Sequence, residues 1–260
     1  MRFGTRAVGG FKTKRRVSTR IARSSLQART AGFGTKVRVL HAGLDRGKLT
    51  MRPQQETVLL FHGLWMNRLA MLYLARSLER AGFRPVSLAY RSMLGMPDEH
   101  VASVARRIAS IPADTVHLVG HSLGGVVALG YLAGQPDRRI GRVVLLGAPI
   151  SGSRAARAVA DWPGGDLMLG RSTGIWRSGQ RAQLDATACV GAIAGSRPLG
   201  LGSVFIDVPE PSDGVVTVEE TRLAGLSDHL VLPVSHSGML VSREVARQTA
   251  AFLRNGRFER

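Results

Sequence analysis

The chain has 260 residues, of which 44% are hydrophobic and 21% charged, a make-up that suits one globular domain with a sizeable core and excludes a disordered or fibrous protein. A single cysteine, Cys189, excludes an intramolecular disulfide and any cysteine-based metal cluster. The net charge of +18 is unevenly placed: residues 1–44 hold eleven Lys or Arg and no Asp or Glu, while the rest holds 25 basic against 18 acidic residues.

Residues 1–44 therefore read as a basic appendage and residues 45–260 as the folded domain. The appendage has no apolar run of the length of a secretory h-region, and nothing later reaches the length of a membrane span. A cytoplasmic protein is expected, with peripheral membrane association through the basic segment, because each basic residue near an anionic surface is worth roughly 1 kcal/mol. A solvated arm and an Arg-rich transit peptide are the competing readings. Nucleic acid is not an expected partner, since only Phe3, Phe11 and Phe33 interleave the basic residues.

After an early strand over 36–41, residues 57–61 (TVLLF) form a buried strand that runs into His62-Gly63. Apolar residues at Leu69, Leu72, Tyr73, Ala75, Leu78 and Ala81 predict a helix over 67–81, with Gly82 as its cap. A strand over 85–90 follows, then a helix over 99–110 with Val101, Val104, Ala105 and Ile108 on one face. Strands over 116–120 and 142–147 flank a helix over 126–132. Residues 151–189 lack a strong period and read as a loop-rich insertion. Short strands at 190–195 and 230–234, an apolar run at 203–208 and a closing helix over 242–253 complete the chain. Strands alternating with helices predict an α/β fold, a mostly parallel sheet flanked by helices.

Gly120-His121-Ser122-Leu123-Gly124 is the motif that carries chemistry. A G-x-S-x-G sequence between a strand and a helix describes a turn so tight that only small residues fit two positions either side of the serine, which leaves its hydroxyl exposed at the sheet edge. A serine hydroxyl needs an adjacent base, and the base an orienting carboxylate. Of the two histidines downstream of Ser122, His236 follows the last predicted strand and so emerges at the same edge; His229 precedes that strand. Asp213, in an Asp-Gly turn, is the favoured acid. Asp207 is its chief rival, and Asp185 and Asp228 are weaker ones. Backbone N–H groups of Leu123 and Leu64 are the expected oxyanion donors. His62 and His121 are expected to point away from the site.

The stretches LLFHGLW, VHLVGHSLGG, VVLLGAPISGS, SDGVVTVEET and VSHSGML resemble the α/β-hydrolase family, its lipase- and esterase-like members most closely, over residues 57–254. The resemblance implies a Ser122–Asp213–His236 triad with Leu64 and Leu123 at the oxyanion hole. It departs from members with an HGGG-type loop, because no run of glycines follows Gly63.

Trp65, Met66, Met93 and Met239 are the expected substrate-binding residues, within a wider set of apolar residues on the site loops: Leu94, Met96, Leu167, Met168 and Leu169. Flexible methionines suit an adaptable acyl pocket. The reading is a serine hydrolase acting on small-molecule or lipid esters of apolar acyl groups. An acyltransferase or thioesterase using the same residues, and a non-catalytic binding protein on this scaffold, are the alternatives. No metal or cofactor is expected, as neither H-E-x-x-H nor a dinucleotide glycine fingerprint occurs.

Overall fold

A computed structural model of the chain describes residues 55–134, 136–172, 184, 188–199 and 208–260. The basic segment 1–44, the expected strand at 36–41, most of the apolar run at 203–208, and Asp185 and Asp207 lie outside the described residues.

Six strands form one sheet in which every neighbouring pair is parallel. In chain order they are β1 (Thr57–Phe61), β2 (Arg84–Ser87), β3 (Val116–His121), β4 (Ile140–Leu146), β5 (Val190–Gly195) and β6 (Asp228–Leu232). Their spatial order is β2-β1-β3-β4-β5-β6. The chain thus moves outward from β1 to β2, then returns to place β3 on the other side of β1. That reversal opens a crevice at the carboxyl ends of β1 and β3, where ligands bind in open α/β sheets.

Strand alternation divides the core. Leu59, Phe61, Leu118, Val143 and Leu145 face one side, where they meet α2 (Pro97–Ala109) and α3 (Leu123–Leu132). Val58, Leu60, Val119, Val144 and Leu146 face the other, against α1 (Leu72–Arg80) and the closing helix α6 (Arg243–Asn255). Burial on both faces explains why these strands read as continuous apolar runs. Ser242 caps α6 by accepting a hydrogen bond from the Val245 N–H at 3.2 Å.

The sequence reading differs from the structure in four places. The first turn of the 67–81 helix is a 3-10 turn, Arg68–Met71, and the buried stripe is Met71, Leu74 and Leu78. Leu69, Leu72 and Tyr73 face outward, because a helix with apolar residues on two sides satisfies the 3.6-residue period in either orientation. In α2 the buried face is His100, Val104 and Ile108, with Ala105 exposed. The insertion opens with two helices rather than loop, α4 (Arg154–Ala160) and α5 (Gly165–Leu169). Finally, β6 starts at Asp228, so His229 lies within the strand, with its Nε2 2.9 Å from the Thr221 hydroxyl.

The turn after β3 has no room for a side chain at its first glycine. A Cβ on Gly120 would sit 2.5 Å from the Gly124 carbonyl oxygen and 2.5 Å from the Gly125 Cα. Because those are backbone atoms of the same turn, neither can rotate away. Gly120→Ala is therefore expected to lower the unfolding free energy by about 2 kcal/mol or more, measured by urea denaturation.

Candidate active site

Ser122 sits between β3 and α3 at φ 54° and ψ −123°, a backbone region that non-glycine residues rarely adopt. Its N–H donates to the Leu146 carbonyl at 2.9 Å, and its own carbonyl accepts from the Gly125 N–H at 2.9 Å. Gly124 allows the helix to start hard against β1, since a Cβ there would lie 2.5 Å from the Phe61 carbonyl oxygen. The half-buried serine stands at the N-cap position of α3, yet its side chain makes no capping bond and lines a cavity instead.

His236 reaches the cavity wall from the segment after β6, and Asp213, from the segment after β5, lies behind it. Asp213 is fully buried. Its Oδ1 accepts from the Val215 and Val216 N–H groups at 3.0 and 2.7 Å, and its Oδ2 accepts from His236 Nδ1 at 2.7 Å. A further bond runs from the His236 N–H to the Asp213 carbonyl at 3.0 Å. With Nδ1 committed to the carboxylate, Nε2 is the nitrogen left for other chemistry. Space for the pair comes from two glycines: a Cβ on Gly147 would lie 3.0 Å from Asp213 Oδ2, and one on Gly195 would lie 2.7 Å from Asp213 Cβ. Ser122 and His236 line one cavity, but no hydrogen bond joins the serine hydroxyl to His236 among the described residues.

The cavity has a volume of about 470 Å³, within the usual range for small-molecule sites. Of the expected substrate-binding residues, Trp65 and Met66 line it, as does Leu64. Met93 and Met239 do not. Met239 is fully buried in the core shared with α1 and α6, and its Sδ would be 3.1 Å from a Cβ on Gly147, so it packs beneath the Asp213–His236 pair. Met93 is half-buried, and its carbonyl accepts the Arg171 N–H at 3.0 Å. The N–H groups of Leu64 and of Leu123, the first residue of α3, have no hydrogen-bond partner among the described residues. Trp65 has φ 57°, and its indole Nε1 donates to the Met168 carbonyl at 2.9 Å.

Several cavity residues escaped the sequence reading. Ala155, Ala156 and Val159 of α4 form an apolar wall. Ser153 immediately before an alanine-rich run was a usable signal, and its hydroxyl does accept the Ala156 N–H at 3.1 Å. His121 also differs from expectation. Rather than pointing away, its ring lies 4.7 Å from that of His236, centroid to centroid, and its Nε2 donates to the His236 carbonyl at 3.0 Å. His62 instead stacks on Tyr90 at 4.4 Å. Among the described residues no group of three or more His, Cys, Asp or Glu is placed to hold a metal ion, and no helix is long and apolar enough to cross a membrane.

Burial, helped by the neighbouring His236, pushes the His121 imidazole from 6.5 down to about 3. The unfolded chain therefore binds a proton at this position over a pH range in which the folded chain refuses it. Stability is fully present above pH 6.5 and is lost as pH falls from about 6.5 toward about 3. Burial lowers His62 and His100 in the same direction. Urea unfolding at a series of pH values is expected to show this decline, and His121→Gln to flatten its slope by up to about 1.4 kcal/mol per pH unit.

A model of the alpha/beta hydrolase family matches residues 58–252. Among solved structures, the mature form of a lipase from Bacillus licheniformis is similar over 78% of this chain and 93% of its own, at TM-score 0.61 and 19% identity. A metagenomic carboxyl esterase is similar over 70% of this chain and 65% of its own, at TM-score 0.58 and 20% identity. A bromoperoxidase from Bacillus anthracis is similar over 78% of this chain and 93% of its own, at TM-score 0.56 and 14% identity. At such identities the likeness concerns the fold. No curated protein matches the chain. The family match runs from the first strand to the closing helix, and the chain belongs to the alpha/beta hydrolase family.

Proposed function

We propose that the chain is a serine hydrolase that cleaves carboxylic esters of apolar acyl groups through an acyl-enzyme. The observation that carries this reading is the 2.7 Å bond from His236 Nδ1 to the buried Asp213 carboxylate, at the wall of the cavity that Ser122 also lines.

In this reading Ser122 Oγ attacks the ester carbonyl while His236 Nε2 takes its proton. Asp213 holds the imidazole in the Nδ1-protonated tautomer and stabilises the imidazolium as it forms. The carboxylate is itself fixed by two backbone N–H groups, so it does not turn away when charge develops beside it. The tetrahedral oxygen is held by the unpartnered N–H groups of Leu64 and Leu123. His236 then returns the proton to the leaving alcohol, and a water activated by the same imidazole releases the acid. The Ser122–His236 contact forms with substrate in place, as hydrogen bonds of this kind tighten in the Michaelis complex.

Apolar acyl groups are favoured by the lining, in which Trp65, Met66, Ala156, Val159 and Leu169 meet the nucleophile. Across p-nitrophenyl esters, kcat/KM is expected to rise by roughly fourfold for each added methylene until the cavity is filled, following about 0.8 kcal/mol per buried CH₂. Flat or falling values from acetate to octanoate count against an acyl pocket.

Fluorophosphonate labelling of the intact protein tests the nucleophile directly. Ser122→Ala is expected to abolish labelling and to lower kcat by at least about 10³-fold, and Asp213→Asn to lower it by about 10⁴-fold with the fold intact. Labelling that persists in Ser122→Ala assigns the chemistry to another residue.

A further inference from the structure

We propose that the edge of the molecule carrying the cavity mouth docks on the surface of an anionic phospholipid bilayer, its apolar tips entering the acyl boundary and its arginines meeting the headgroup phosphates. The most exposed of the large apolar side chains cluster on this edge, whereas Leu72 and Tyr73 on α1 and Val231 in β6 are less exposed and lie away from it. Leu69 is 65% exposed, Leu94 62%, Leu167 82%, Trp65 60% and Leu199 55%. They stand on segments that follow β1, β2, β4 and β5, and strands of a parallel sheet all end at the same edge. Two bonds tie three of these segments together. Trp65 Nε1 donates to the Met168 carbonyl at 2.9 Å, and the Arg171 N–H donates to the Met93 carbonyl at 3.0 Å. Trp65 and Leu199 also line the cavity, so the apolar surface is continuous with its mouth.

Connections at the opposite edge, residues 81–83, 110–115 and 222–227, expose no large apolar side chain. Singly scattered apolar residues would need no explanation, but a one-sided concentration around a cavity does.

Charge selects the partner. Exposed Arg68, Arg91, Arg171 and Arg197 each stand a few residues from an apolar tip, and none has an ion-pair partner among the described residues. Segments 62–71, 88–96 and 196–199 contain no acidic residue at all. The exposed acids Asp98, Glu99, Asp161, Glu210 and Glu219 lie on the same side outside those three segments, and Glu219 is paired with Arg222 at 3.6 Å. Leucine and tryptophan tips settle at the boundary of headgroup and acyl chain, while arginines beside them hold their guanidinium groups at the level of the phosphates. Tips on four separate segments suit a fluid anionic plane, which accepts any spacing; a folded partner would need a matching relief. Docking places the cavity mouth against the layer in which lipid esters lie, and that consequence alone rests on the proposed hydrolytic reading.

The test uses the full chain carrying Ser122→Ala, sedimented with vesicles of phosphatidylcholine alone or with about one third phosphatidylglycerol. Partition onto the anionic vesicles is expected to exceed that onto neutral ones by at least about tenfold. Leu69→Ser, Leu94→Ser and Leu167→Ser together, none of which lines the cavity, should cut it by at least about tenfold. Arg68→Gln, Arg91→Gln and Arg197→Gln together should remove the preference for anionic vesicles. With Ser122 restored, the leucine variant should retain kcat/KM on a soluble p-nitrophenyl ester and lose turnover of an ester embedded in anionic vesicles. Anionic partition unchanged by the leucine substitutions overturns the proposal and moves binding to another surface, such as the basic segment 1–44. A dimer that the same substitutions dissolve, without vesicle partition, overturns it in favour of a second copy of the chain. Absent ester turnover in every variant defeats the hydrolytic reading and leaves docking to be judged by sedimentation alone.

Discussion

A carboxylate removed from water persists as a carboxylate only where donors replace its hydration, and the Asp213 site is organised around that requirement. Three donors meet it: the Val215 and Val216 N–H groups on one oxygen and His236 on the other. The first two require the tight turn at 213–216, closed by the Asp213 N–H on the Val216 carbonyl at 3.1 Å. The third requires the segment after β6 to fold back over the segment after β5. Both glycines at the ends of β4 and β5 exist in the space this crossing leaves. Removing any one donor leaves a buried charge short of partners, so the geometry of the imidazole and the stability of that end of the sheet are linked.

Much of this was legible in the sequence because local and global signals agreed. Parallel strands buried on both faces announce themselves as apolar runs, and the four central strands as well as the two partly exposed edge strands were anticipated to within a few residues. The turn after β3 was legible because its sterics leave glycine little competition at 120 and 124. Ser122, Asp213 and His236 were each singled out from chain order and from which end of a strand they follow. Parallel topology converts those two properties into one location.

The remainder was not legible for physical reasons. Leu69, Leu72 and Tyr73 satisfy a helical period as well as Met71, Leu74 and Leu78 do, and periodicity cannot say which stripe meets the sheet. His121 was expected to turn away because it precedes the serine. The sequence does not reveal that the His236 backbone arrives within reach of its Nε2. Met239 has the composition of a pocket residue but the position of a core one. Such distinctions depend on contacts between segments separated by a hundred residues or more, which no local pattern encodes.

The Trp65 indole has a consequence for how access and chemistry communicate. It follows Leu64, which lines the cavity, yet its ring nitrogen is anchored to the insertion at Met168. Its left-handed backbone leaves it few alternative poses. A shift of the insertion that widened the mouth would pull on this residue and so on the amide beside it. The insertion and the loop after β1 are thereby coupled through one side chain, without any relay across the core.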